Sequence, residues 1–131
     1  MRKCLLGLTA AAVLTVPVMA HAREFVYRGQ FKGEPQSSVM FDAIGNKKGT
    51  KIRKVEHVSL WEWPGQACGT NTFLSFFGPF DIASKEFSID IGDTDIRGKL
   101  KQQGKKVAGT LVQTGNCATS GRLTWSARRM K

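Results

Sequence analysis

Few side chains in this 131-residue chain have the type and spacing that acid–base or nucleophilic chemistry needs. His57 is the one histidine outside the first 22 residues. An imidazole titrates near neutrality, which suits a general base. Glu56 and Glu62 lie close in sequence, but on a regular strand Glu56 points to the opposite face, so no orienting partner is evident. Asp90, Asp93 and Asp95 cluster around Gly92. Oxygen-rich turns hold calcium, yet the longer alternating loop and distal glutamate of an EF-hand are missing. Two of these carboxylates would also suit an acid/base pair of the glycosidase kind. The plainer account is a hairpin turn with solvated carboxylates. Ser37, Ser38 and Ser75 stand in no Gly-x-Ser-x-Gly context, and no glycine-rich phosphate loop precedes a helix. The sequence therefore names no catalytic, cofactor-binding or metal-ligating residue, and it favours a protein that is not an enzyme.

Positive charge is the most substantial feature. Lys47, Lys48, Lys51, Arg53 and Lys54 flank one hairpin, and Arg97, Lys99, Lys101, Lys105 and Lys106 flank another. Arg122, Arg128, Arg129 and Lys131 fall at the end of the chain. Lys47, Lys48, Lys51, Arg97, Lys99, Lys101, Arg122 and Arg128 are the candidate anion-binding set. If the segments bearing Arg97 and Arg122 share a sheet, their outer faces merge into one basic surface. Such a surface suits an anionic polymer of the cell envelope or a lipid surface. Nucleic acid is disfavoured, because no aromatic interleaves with the closing basic segment and the chain carries an export signal. Trp61 and Trp63 share a parity beside Pro64-Gly65 and are candidates for partner binding, as in an inhibitor presenting a Trp61–Gly65 loop.

The export signal is residues 1–22. Met1-Arg2-Lys3 is cationic, Cys4 to Val18 is uncharged and apolar, and Ala20-His21-Ala22 is a small-x-small cleavage site. The apolar run is short for a membrane span and Pro17 interrupts it, so no transmembrane segment is expected in the mature chain. Cleavage leaves one domain, 23–131, exported to the periplasm or secreted. Its charge is 18 cationic less 10 acidic side chains, or +8. Of three cysteines, Cys68 and Cys117 remain, which in an exported chain predicts a disulfide. Closing a loop of about 50 residues is worth roughly 4 kcal/mol in the chain-entropy account.

The elements that must position these groups read as strands. Phe25, Tyr27 and Phe31 share a face, and Val39, Phe41 and Ala43 share another. A long segment from Thr50 to Trp63 changes parity, which predicts a bulge near Glu56–Val58. Thr72–Phe77 alternates little and reads as buried on both faces, with Gly78-Pro79 as a turn after it. Phe87, Ile89 and Ile91 alternate with polar residues. Ile96, Gly98 and Leu100, then Val107, Gly109 and Leu111, then Leu123, Trp125 and Ala127 each form an inner face against a polar or cationic outer one. No helical periodicity of useful length appears after the signal. The expectation is a single antiparallel β-sandwich or barrel of about eight strands with one disulfide.

The order of motifs resembles a family of small exported bacterial β-domain proteins of unknown function. The residues that carry the likeness are Phe31-Lys32-Gly33, Cys68, Phe87-Ser88-Ile89, Gly98, Gly104, Gly109-Thr110, Cys117, Ser120-Gly121 and Trp125-Ser126-Ala127-Arg128. The resemblance implies a disulfide-closed β-domain and transfers no catalytic residue. The function that follows is a non-catalytic module binding an anionic envelope component. The alternatives are a small acid-dependent hydrolase and an inhibitor or partner-binding protein.

Overall fold

The structure, a computed structural model, describes residues 22–63, 73–115, 118–119 and 121–130. Its strands in chain order are β1 (Arg23–Phe31), β2 (Glu34–Gly45), β3 (Ile52–Trp61), β4 (Phe73–Asp81), β5 (Glu86–Ile91), β6 (Thr94–Lys101), β7 (Lys106–Gln113) and β8 (Leu123–Arg129). All pairing is antiparallel, in one sheet of order β4-β3-β2-β1-β8-β7-β6-β5. Followed around, that is chain order, with β1 and β8 zipped together and a seam between β4 and β5. The expected sandwich or barrel of eight strands is thus a nearly closed up-and-down barrel. Cys68, Cys117 and residues 1–21, which include Ala20 and His21 of the cleavage site, lie outside the described residues.

Alternation builds the bore. Tyr27 sits opposite Phe41 across β1–β2, and their rings stack at 4.5 Å and 7°. Phe41 packs edge-on to Trp125 at 6.2 Å, and Phe87 lies 5.6 Å from Phe41. Phe31, Val39, Val55, Val58, Leu60, Ile89, Ile96, Val107 and Leu111 complete a buried interior. Eight strands enclose a bore that side chains can fill, and here they fill it. The inner faces expected for β1, β2, β6, β7 and β8 are those observed.

One cross-strand row explains two of the glycines. Phe87, Gly98, Gly109 and Trp125 are successive partners across β5, β6, β7 and β8. A Cβ on Gly98 would come within 2.4 Å of the Phe87 ring, and one on Gly109 within 2.1 Å of the Trp125 ring. Both glycines exist so that a ring can lie on bare backbone. The Trp125 indole N–H donates to the Thr110 carbonyl at 3.1 Å.

The parity change in β3 has the expected cause. Ala43 faces Val55 and Asp42 faces His57, so Glu56 is an extra residue, and a second irregularity falls at Arg53. Two expectations fail nearby. Trp61 and Trp63 do not share a face. Glu62 takes φ 50°, turning the chain so that Trp61 is 47% exposed while Trp63 is buried. Nor is the segment after residue 72 buried on both faces. Leu74, Phe76 and Phe80 pack on the core, whereas Phe73 and Phe77 are 48% and 78% exposed. Gly78-Pro79 lies inside β4, between the Val55–Phe80 and His57–Phe77 pairs, rather than ending it. Proline is tolerated there because β4 borders the seam and one side of it makes no ladder.

Candidate anion-binding end of the barrel

Strand direction sorts the charges. β1, β3, β5 and β7 start at one end of the barrel, and the connections at that end are residues 46–51, 82–85 and 102–105. These carry Lys47, Lys48, Lys51, Lys85 and Lys105 and no acidic residue. Arg23 begins β1 and Arg129 ends β8 at the same end, where Asp81 ends β4 and Glu86 begins β5, so cations outnumber acids there. The opposite end holds Glu34, Glu62, Asp90, Asp93 and Asp95 against Lys32 and Arg122 among the described residues. The barrel is therefore polarised along its axis, basic at one end and mainly acidic at the other.

The basic end is built, not merely frayed outward. Gly49 and Gly104 bring two lysine-bearing loops into backbone contact, since a Cβ on Gly104 would lie 2.4 Å from the Gly49 carbonyl oxygen. Both take positive φ, 74° and 84°, which only glycine adopts without cost. From inside, the Tyr27 hydroxyl donates to the Gly104 carbonyl. Arg129 donates from Nη1 to the Gly49 carbonyl at 2.9 Å. Arg23 and Arg129 both lie over the Phe25 ring, 5.2 and 5.0 Å from its centre. Burial raises the Tyr27 phenol above its ordinary value of 10.0, with the Arg129 charge and hydrogen bond opposing it. Tyr27 thus stays neutral and keeps its proton for Gly104.

Register then places cations side by side. Lys101 faces Lys106, Lys106 faces Arg128, and Arg128 faces Arg28, across β6, β7, β8 and β1. Like charges directly opposite on adjacent strands repel, by amounts comparable to the roughly 0.2–1 kcal/mol an opposite pair gains. Only one ion pair forms among the described residues, Arg97 to Asp95 at 3.3 Å. Two concave surfaces border the row. One, of about 460 Å³, is lined by Arg23, Lys48, Lys105, Arg128 and Arg129 with Phe25 and Met130. The other, of about 450 Å³, runs between Arg28 and Arg128 past Ser37, Ser38 and Ser126.

Of the expected anion-binding set, Lys47, Lys48, Lys51, Lys101 and Arg128 come to this end or its adjoining row. β6, which bears Arg97, and β8, which Arg122 immediately precedes, belong to one sheet, but Arg97 is mid-strand and held by Asp95, and Arg122 lies outside the strand at the far end. Lys99 faces Glu86. Lys85 and Arg28 belong to the basic site and were not singled out from the sequence. Each is isolated in the chain, and only pairing reveals its neighbours.

The other candidates are dispersed. His57 Nε2 is 2.7 Å from Ser75 Oγ, a contact no local motif announces, and its ring stacks on Phe77 at 4.5 Å. This pair lies on the outside of β3–β4, where Trp61 packs against Phe73 at 4.7 Å. Asp42 faces His57 across β2–β3 without hydrogen-bonding it. At the acidic end Asp90 faces Asp95, while the Asp93 carbonyl accepts from the Thr114 N–H at 2.9 Å. The described residues contain no cluster of three or more metal-ligating side chains. Nor do they contain a helix long and apolar enough to cross a membrane.

The fold and this site define a small up-and-down β-barrel with a filled bore and a basic end. Compared with known proteins, the chain matches no family model, no curated protein and no solved structure.

Proposed function

We propose that this protein is an exported, non-catalytic module that holds an anionic component of the cell envelope on the basic end of its barrel. The observation that carries the reading is the Lys101–Lys106–Arg128–Arg28 row beside an end whose connections bear only cations. A row of facing like charges is a standing cost in the free protein. A polyanion laid across it converts that repulsion into attraction and releases counterions. The side chains are long, exposed or half-exposed, and make no ion pair among the described residues, which suits a repeating anion of variable geometry more than one small substrate. Export through residues 1–22 and a Cys68–Cys117 disulfide belong to the same proposal, as the setting in which an envelope ligand would be met.

The test compares two charge reversals. Lys48→Glu, Lys105→Glu and Lys106→Glu together change the basic end; Arg97→Glu with Arg122→Glu changes cations elsewhere. Co-sedimentation with anionic envelope polymer is followed across salt concentrations. Wild type should be retained at low salt and released as the Debye length shrinks below about 8 Å. The first variant should lose retention and the second should keep most of it. Equal behaviour of the two variants would reduce the charge to a matter of solubility.

A second reading draws on a separate observation. Trp61, Phe73 and Phe77 expose ring surface on one outer face beside the seam. That face favours partner or inhibitor binding, now carried by β3–β4 and not by a Trp61–Trp63 pair. A salt-insensitive complex lost on Trp61→Ala and Phe77→Ala would place this reading first.

A further inference from the structure

A third concave site lies within the basic end itself, at the barrel mouth. It has a volume of about 280 Å³ and is walled by the three connections of that end. Its floor is apolar: Ile52 and Leu100 are 7% exposed, and Ile82 packs against the core. Its rim holds Lys51, Lys85 and Lys101. None of the three makes an ion pair among the described residues.

A separate feature marks the same place. Five non-glycine residues among those described take positive φ, and four of them, Ser84, Lys85, Gln102 and Gln103, lie in the two turns beside this mouth, at 52°, 67°, 52° and 56°. Left-handed backbone costs an L-residue roughly 1–2 kcal/mol where glycine is free of the penalty. Such outliers persist where surrounding structure enforces them, and they gather at ligand sites. The enforcement is visible. Ala83 and Glu86 exchange both backbone hydrogen bonds at 2.9 Å, closing the turn that holds Ser84 and Lys85. The Lys85 carbonyl accepts from the Leu100 N–H at 2.8 Å, tying the turn to β6. Gly104 N–H donates to the Lys101 carbonyl at 3.1 Å. A hairpin needing only a turn would place glycine or asparagine at position 85. A lysine held there against its preference fixes a cation on the rim.

An apolar floor with a cationic rim selects amphiphilic anions. We propose that the barrel mouth binds a single acidic head group, phosphate or carboxylate, on a short alkyl chain, the chain lying on Ile52, Ile82 and Leu100 and the head group meeting Lys51, Lys85 and Lys101. This deepens the anion-binding reading of the same end and rests on it. A polymer would then engage the outer cations while the mouth takes an anchored or free alkyl anion.

The probes are hexyl phosphate, inorganic phosphate and hexanol, titrated into the protein and followed by amide and methyl NMR shifts. Hexyl phosphate should bind more than tenfold tighter than inorganic phosphate, because burying two methylenes is already worth about that factor, and more tightly than hexanol, which shares the chain but lacks the charge that the lysines meet. The shifts should centre on Ile82, Lys85, Leu100 and Gln103. Lys85→Gln with Lys101→Gln should weaken hexyl phosphate at least tenfold. Ile82→Ser should bring it to the affinity of inorganic phosphate while leaving polymer retention unchanged. Equal binding of hexyl and inorganic phosphate would overturn the pocket but leave the anionic-polymer reading standing. Equal binding of hexanol and hexyl phosphate would remove the lysines from the account. Shifts confined to other parts of the barrel, or no binding of any probe, would overturn the proposal outright. Loss of polymer retention on reversing the outer cations is measured separately, so the failure of one reading is distinguishable from the failure of the other.

Discussion

Replacing Gly109 by alanine isolates the packing on which the barrel depends. Gly109 faces Trp125 across β7–β8. The added methyl would lie 2.1 and 2.2 Å from Trp125 Cζ2 and Cε2, and 2.4 Å from the Arg97 carbonyl oxygen. Carbon–carbon contact is favourable near 3.5–4.0 Å, so the indole must retreat by more than an ångström. It has little room. Phe41 and Phe87 pack at ring-centre distances of 6.2 and 6.5 Å, and the indole N–H is tied to the Thr110 carbonyl. The Arg97 oxygen is backbone in the middle of β6 and moves only with its strand. Overpacking a dense core costs typically about 1–3 kcal/mol. Losing a strand glycine returns roughly 0.5–1 kcal/mol of unfolded-state entropy. With two rigid obstacles the cost should sit at the upper end, leaving a net loss of about 2 kcal/mol. For a domain of this size that lowers Tm by roughly 8 °C or more. Thermal unfolding by circular dichroism reads it, and repeating the substitution in a Trp125→Leu background should shrink the penalty by at least about 0.5 kcal/mol. An unchanged Tm, or the same loss in both backgrounds, would show that the ring does not lie over Gly109.

Truncating Trp125 to alanine should destabilise by about 3–5 kcal/mol, the usual range for a large buried aromatic, and urea unfolding would report it as a lower midpoint. Tyr27→Phe should cost about 1–3 kcal/mol by leaving the Gly104 carbonyl unpaired. It should also flatten the alkaline limb of stability. The raised phenol means the unfolded chain releases its proton first, so wild type is fully stabilised below pH 10.0 and loses that contribution as pH climbs toward the folded-state value. A wild type and a Tyr27→Phe variant that decline in parallel above pH 10.0 would refute the assignment. Intact mass before and after reduction and alkylation should show Cys68 and Cys117 masked in the exported protein; free alkylation of both under native conditions would remove the disulfide.

The sequence revealed faces but not neighbours. Period-2 alternation identified the inward residues of β1, β2, β6, β7 and β8, because each of those strands has one buried and one wet face. The same rule placed a bulge near Glu56–Val58, and it falls at Glu56, since an inserted residue inverts parity and leaves a readable trace. It failed where inversion came from a single backbone angle. Nothing in Leu60-Trp61-Glu62-Trp63 announces that Glu62 takes positive φ, so two tryptophans of one parity end on opposite sides. It also failed in β4. There, apolar residues on both faces reflect not double burial but an outer face left bare beside the seam. The basic row was invisible for a third reason. Lys101 and Lys106 flank one hairpin, but Arg28 and Arg128 are far from it and from each other in sequence, and Arg28 joins the row only through the pairing of β1 with β8, a contact between the two ends of the chain.

A filled bore constrains what such a barrel can do. Larger or emptier barrels carry ligands inside; here Tyr27, Phe31, Phe41 and Trp125 occupy that volume. Binding must use the ends, the outer wall or the seam. Among these, the two ends differ in sign, and the difference is organised at the level of loops: each connection at the basic end carries lysine and none carries an acid. A surface charged only for solubility gains nothing from segregation, because mixed signs lower self-repulsion at the same net charge. Segregation instead produces a field directed along the axis, which orients the barrel as it approaches an anionic surface. The same end is also where Tyr27 and Arg129 reach out of the barrel to grip loop carbonyls, so the cations are presented on a braced frame. Holding like charges together on braced backbone is costly in isolation and favourable only against an opposite charge. That asymmetry is the physical ground for reading the basic end as the place where this protein meets its ligand.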